Sequence, residues 1–233
     1  MRTERLDLGE PVQVRIVDGG DEVVWSEVWR DDCYGLTPET VGNRVLVDVG
    51  ANVGMTTLRA LSCGASAVLA VEPDAWNFAR LWDNLRDNRT VMPRARALNA
   101  AAGRVPGMAF LDRDGYRDEN YGGAHTAAAQ GGDAVPVHTL EELVGWVPAD
   151  AELVLKVDTE GAEYEILHDD VPAELMRRFA VIVGEFHHFA ARNVGGRAAL
   201  GRLVTKLADT HAVDLFGRPD DGGLFRCRRY ASS

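Results

Sequence analysis

A chain of 233 residues with 46% hydrophobic content is long enough for one domain with additions, since domains commonly run to about 100–200 residues. Its net charge of -11 argues against tight binding to bare nucleic acid, which needs a basic face to displace counterions. Three scattered cysteines, Cys33, Cys63 and Cys227, with no C-x-x-C, argue against a disulfide framework or a zinc site and fit a reducing, cytoplasmic setting.

The opening "MRTERLDLGEPVQV" has no apolar core of signal-peptide type. The most apolar long window, Val45 to Val71, is broken by Asp48, Asn52 and Arg59. A membrane span needs about 20 nearly uninterrupted apolar residues, so none is expected. "VQVRIVDGGDEVVWSEVW" reads as two strands around the turn Asp18-Gly19-Gly20, a hairpin extension over residues 1–40. The main domain is then 41–233. It opens with "RVLVDVG", a short buried strand, and a helix from Asn52 to Leu61. "SAVLAVEPD" is a second apolar strand. The next helix, Ala75 to Arg86, presents Phe78, Leu81, Trp82 and Leu85 as its apolar face.

"RARALNAAAG" and "GMAFLD" read as further strands, and Asp112 to Asp133 as a long loop. "AVPVHTLEELV" is a strand turning into a helix, with Thr139 as N-cap and Glu142 three residues on. "ELVLKVDTEGAEYEIL" repeats the opening theme of apolar strand, acid, glycine and helix. "FAVIVGEFHHF" is another buried strand, Ala198 to Asp209 is helical, and the tail forms two strands around a Gly-Gly turn. Strands alternating with helices imply a doubly wound α/β domain with a mostly parallel sheet and an antiparallel C-terminal edge.

In such sheets ligands sit beyond the carboxyl ends of the strands. Asp48, Glu72, Asp158 and Glu185 each close an apolar run there. A single such acid is often only a turn residue; four invite a chemical reading. Gly50 and Gly54 frame G-A-N-V-G, with Asn52 where the dinucleotide fingerprint has its middle glycine. That glycine lets backbone approach a pyrophosphate, so its absence points to a ligand without one. Glu72, one strand on, is placed to accept hydrogen bonds from both hydroxyls of a ribose. S-adenosylmethionine is a phosphate-free nucleoside, and its positive charges suit an acidic pocket.

D-V-G-A-N-V-G, V-E-P-D and K-V-D-T-E-G-A-E, in this order, resemble the FkbM family of S-adenosylmethionine-dependent methyltransferases. The resemblance runs from about Val45 to Phe189 and includes "VHTLEELV" and "VIVGEFHH". It implies a class I, Rossmann-like methyltransferase fold with a seven-stranded sheet. It also implies O-methylation, often of a sugar or natural-product hydroxyl, with S-adenosylhomocysteine as product. Carried over position by position, Asp48, Gly50, Ala51, Asn52 and Gly54 shape the methionine end of the cofactor site. Glu72, with Pro73 beside it, holds the ribose, and Asn99, Ala100 and Ala101 border the adenine. The doubled histidine of "GEFHH" departs from the family, which more often has one.

Asp158 ends the fourth strand, beside the methyl-donating sulfur of that fold. Side chains alternate along a strand, so Glu185 and His187 share a face and His188 opposes them. His187, oriented by Glu185, is the expected general base, with His188 a strand-end residue. Asp158, Glu185 and His187 could instead hold a divalent metal, the less favoured arrangement. Glu160 is a further site candidate, whereas Glu163 reads as a first-turn acid complementing a helix N-terminus. Tyr34, Tyr121 and His125 are candidate substrate contacts, with ordinary loop roles as the safer reading. The expected partner is a small hydroxylated molecule, with neither nucleic acid nor membrane. Alternatives are another acceptor such as an amine or carboxylate, a nicotinamide-dependent oxidoreductase of related fold, and a non-catalytic nucleoside-binding protein.

Overall fold

The computed structural model describes residues 1–112, 125–127, 133–188, 195–218 and 222–231, with the backbone alone described at 112, 125–127 and 218. The first half runs β1 (Arg2–Asp7), β2 (Pro11–Ile16), α1 (Gly19–Trp25), a π turn over Ser26–Arg30, α2 (Pro38–Val41), β3 (Val45–Val49), α3 (Met55–Ser62), β4 (Ala67–Val71), α4 (Ala75–Asp87) and β5 (Ala95–Leu98). There follow β6 (Ala101–Ala102), β7 (Gly107–Asp112), β8 (His125–Ala127), β9 (Ala134–His138), α5 (Leu140–Gly145), β10 (Leu153–Val157), α6 (Glu163–Ile166) and α7 (Ala173–Met176). β11 (Phe179–Phe186), α8 (Arg197–Ala208), β12 (His211–Arg218) and β13 (Gly222–Arg229) complete the fold.

The main sheet has seven strands in the order β12-β13-β11-β10-β3-β4-β5. β11, β10, β3, β4 and β5 are parallel, and β13 runs antiparallel between β11 and β12. This is the expected mostly parallel sheet with an antiparallel C-terminal edge. A second sheet, β6-β9-β7-β8, was not foreseen as separate; it takes "GMAFLD" and "AVPVH" out of the main one.

The hairpin expected around Asp18-Gly19-Gly20 does not form; the N-terminal hairpin lies earlier in the chain. β1 pairs with β2, from Arg2 opposite Ile16 to Asp7 opposite Pro11. The stretch after Asp18 is helical. The Asp18 carboxylate accepts from the Asp21 N–H at 3.0 Å, and the Asp21 carboxylate accepts from the Val17 N–H at 2.6 Å and pairs with Arg80. The acids beside Gly19-Gly20 therefore cap a helix instead of lining a hairpin turn. The helix after β3 also starts at Met55, three residues later than expected, because Gly54 sits at φ +88°, outside helical space.

Period-two alternation then sorts the sheet's side chains. Val45, Val47, Val49, Leu153, Leu155 and Val157 pack on one face with α5 and α8. Leu46, Ala70, Val154 and Val183 pack on the other with β2, α3 and Leu81 and Leu85 of α4. Continuing along that second face toward the carboxyl ends gives Asp48, Glu72, Lys156, Asp158, Glu185 and His187. One face of one sheet thus turns from core to chemistry within two to four residues.

At α5 the expected cap is present in both directions. The Glu142 N–H donates to Thr139 Oγ1 at 3.2 Å, and the Thr139 N–H donates to Glu142 Oε2 at 3.1 Å. Thr139→Ala should cost about 1 kcal/mol of stability, measurable as a lower midpoint in urea at unchanged slope.

Candidate active site

The turn after β3 takes three left-handed residues in five: Gly50 at φ +78°, Asn52 at +50° and Gly54 at +88°. The N–H groups of Gly50 and Ala51 both donate to the Val71 carbonyl, at 2.9 and 3.0 Å, which folds the turn over the end of β4. A Cβ on Gly50 would overlap the Asp158 carbonyl oxygen, and one on Gly54 would overlap Leu81. Gly50 is therefore required by close approach to backbone as well as by φ, whereas at Gly54, where the neighbour is the end of a side chain, φ is the main demand.

Glu72 is 5% exposed and faces this turn. Its Oε2 accepts from the Asn52 N–H at 2.8 Å and its Oε1 from the Asp74 N–H at 2.9 Å. Burial pushes its carboxyl up to about 7, against the pull of those two backbone donors. Each oxygen keeps a lone pair for a further donor. The Asn99 side chain donates to the carbonyls of Glu72 and Pro73, both at 2.9 Å, and ties the β5 end to the β4 end. Ala100 and Ala101 are buried beside it. Asp48 has no exposed surface. It accepts from the Thr57 hydroxyl at 2.7 Å and lies 3.5 Å from the Lys156 ammonium, supporting the turn from beneath.

The second half of the site centres on His187. Its Nδ1 lies 3.2 Å from Glu163 Oε1, and the same oxygen accepts from the His187 N–H at 2.7 Å. The other oxygen of Glu163 accepts from the Gly161 N–H at 2.9 Å and the Thr159 hydroxyl at 3.2 Å. Glu163 is fully buried and orients the imidazole. On the far side, His187 Nε2 faces Asp158 at 3.8 Å, Glu160 at 3.7 Å and Glu185 at 3.8 Å. Burial pulls the imidazole down, but the hydrogen bond and charge of Glu163, with Asp158 and Glu160, push it up to about 9. His187 is thus an imidazolium at neutral pH. Asp158 is held below the usual carboxylate range: burial raises it, but Lys156, His187 and the Tyr34 hydrogen bond outweigh that. Glu185 is pushed up to about 7 by burial and by the charge of Asp158.

Several sequence assignments change here. The residue that orients His187 is Glu163, read from sequence as a helix-end acid, whereas Glu185 stands on the opposite ring edge. Tyr34 is buried, not a surface loop residue; its hydroxyl donates to Asp158 Oδ2 at 2.7 Å. Its neighbour segment also brings Glu27 within range of the Asp158 charge, which with burial raises the Glu27 carboxyl. Lys156 was missed, although a lone charge in "LVLKV" was a signal. As expected, Glu185 and His187 share a face. His188 turns away, its Nδ1 accepting from the Gly196 N–H at 2.7 Å and its ring stacked on Tyr164. Tyr121 and the side chain of His125 lie outside the described residues.

Asp158, Glu185 and His187 each offer a ligand atom within 4.8 Å of the others, a spacing that could hold a metal ion. Two cations, the Lys156 ammonium and the His187 imidazolium, already offset these carboxylates.

The fold and the turn together define a class I methyltransferase. The FkbM methyltransferase domain matches residues 48–216, and the chain belongs to that family. That family is one of methyltransferases, which argues against the nicotinamide alternative. Among solved structures it is similar to a methyltransferase FkbM from Methylobacillus flagellatus KT, at 18% identity and TM-score 0.51, covering 78% of this chain and 43% of that one. The chain thus spans less than half the length of that relative. An rRNA methylase from Streptococcus thermophilus superposes with TM-score 0.52 at 8% identity, covering 93% of this chain and 100% of that one. The methyltransferase SMU.776, complexed with S-adenosylhomocysteine, gives 0.50 at 9% identity, covering 97% of this chain and 56% of that one. No curated protein matches the chain.

The residues present fit the cofactor. The Gly50–Gly54 turn offers a tight backbone, and the Glu72 carboxyl oxygens, fixed by the Asn52 and Asp74 N–H groups, offer hydrogen-bond acceptors. The cation beneath them, Lys156, is engaged by Gly50, Asp48 and Asp158, so the turn is not built for phosphate.

Proposed function

We propose that the protein methylates a hydroxyl of a small molecule, a sugar or natural-product scaffold, in cytoplasmic secondary metabolism. The observation that carries this is the Asp158–Glu185–His187 cluster on the same sheet face as the cofactor turn. Bound S-adenosylmethionine supplies an electrophilic methyl group. The chain's part is to hold the acceptor oxygen in line and take its proton as it attacks. Asp158 is the fixed anion that orients the hydroxyl. Glu185, exchanging its proton near neutrality, is the proton acceptor. His187, kept charged by Glu163, limits the repulsion between these carboxylates. The base role expected for His187 thus passes to its neighbour.

A small acceptor is favoured over nucleic acid because the net charge is -11 and carboxylates line the acceptor side. Among the described residues no helix is long and apolar enough to cross a membrane. Radiolabelled cofactor offered with pools of hydroxylated metabolites and with ribosomal RNA tests the reading. Label appearing as an alkali-stable ether on a small molecule is expected; label confined to RNA or to nitrogen would remove it.

Glu72→Ala should weaken cofactor binding by about 1.5–3 kcal/mol, the range for hydrogen bonds to a charged group. It also frees the Asn52 N–H that fixes the turn. Calorimetry with S-adenosylhomocysteine measures this, and an unchanged affinity would remove the ribose assignment.

A further inference from the structure

The basic residues of this chain number 25, and Lys156 and Lys206 are the only two that are lysines; both are buried. Lys206 donates to the carbonyls of Asp169 and Val171, tying α8 to a loop. Lys156 does something different. It stands on β10 in register with Asp48 of β3, so the two side chains are neighbours on one face. Its ammonium donates to the Gly50 carbonyl at 2.6 Å and lies 3.5 Å from Asp48 Oδ1 and 3.6 Å from Asp158 Oδ2. The Tyr34 ring covers it, with the ammonium 5.5 Å from the ring centroid. Among the described residues Asp48 Oδ1 has no hydrogen bond, which leaves Lys156 as its compensating charge.

These three oxygens belong to different parts of the site. Gly50 opens the cofactor turn, Asp48 lies beneath it, and Asp158 faces the acceptor. A compact ammonium with three divergent donors can address all three, whereas a planar guanidinium cannot. That accounts for a lysine here in a chain whose other basic residues, Lys206 apart, are arginines.

We propose that Lys156 is a positioning residue that fixes the cofactor turn through the Gly50 carbonyl and locks it to the acceptor-side carboxylate of Asp158. This rests on the cofactor site argued above. The rival explanation is purely structural: Lys156 would only neutralise the buried Asp48. Removing one partner of a buried pair is costly, while removing both is often neutral, so the two explanations separate in a double variant.

The experiment compares the wild type, Lys156→Met and Asp48→Asn/Lys156→Met by thermal unfolding and by calorimetric titration with S-adenosylhomocysteine. Lys156→Met should melt lower and bind about 10- to 100-fold more weakly, the loss of one charge-assisted hydrogen bond. The double variant should recover most of the melting temperature but not the affinity, since the Gly50 carbonyl still lacks its donor. Lys156→Arg should fail to restore the affinity. Recovery of both stability and affinity in the double variant would overturn the proposal, as would full affinity in Lys156→Arg. If Lys156→Met does not fold, the double variant alone decides. Failure of the wild type to bind S-adenosylhomocysteine would instead remove the cofactor site itself, and this inference with it.

Discussion

Glu185→Gln should lower turnover by about 10²–10⁴-fold, the usual worth of a general base, while leaving cofactor affinity unchanged. The sign of the pH dependence follows from the site. The Glu185 carboxyl is raised to about 7, so it is protonated and useless as a base well below that pH. Wild-type turnover should therefore rise with pH through a midpoint near 7 and then level off. His187, raised to about 9, keeps its proton across this range. Its charge lowers Glu185, so His187→Asn should move the midpoint upward and reduce turnover at pH 7. Chelator should leave the wild-type profile unchanged. Three results would contradict this account. A rate limb persisting near pH 9 in Glu185→Gln would return the base role to His187. Loss of activity with chelator and its restoration by magnesium or manganese would establish the metal alternative. Full turnover in both variants would leave positioning alone to carry the rate.

The backbone plan was legible because its signals are local. Apolar runs ending in Asp48, Glu72, Asp158 and Glu185 mark parallel strands, and the Thr139–Glu142 cap marks a helix start. The face shared by Glu185 and His187 follows from alternation alone. What stayed hidden depends on partners distant in sequence. Asp18 to Asp21 reads as a turn until Arg80, 59 residues beyond Asp21, is seen to pair with it. Tyr34 reads as a loop residue until Asp158, 124 residues away, accepts its hydroxyl. Glu163 was placed at a helix end by local logic, and it is there, but α6 has only four residues and the carboxylate turns inward to His187. Local rules correctly located that residue and could not say where its side chain would point.

Gly50→Ala should have the largest effect of any single methyl group in the site. At φ +78° an L-residue costs about 1–2 kcal/mol in backbone strain. The added Cβ would also overlap the Asp158 carbonyl oxygen, a backbone atom that no rotamer change can move. The ends of β3 and β10 would have to part, at the further cost of about 1–3 kcal/mol typical of overpacking. Against the ~5–15 kcal/mol of a whole domain this leaves a folded protein with reduced stability. The strand ends that part are those carrying the cofactor turn and Asp158. Binding of S-adenosylhomocysteine should therefore fall beyond calorimetric detection, and turnover with it. Gly64→Ala is the control: it has a similar φ of +86° with no atom within 4 Å of the new Cβ, so it bears the conformational cost alone. Equal stability losses at the two positions, with cofactor affinity intact in Gly50→Ala, would show that the close approach of turn and strand contributes nothing to the site.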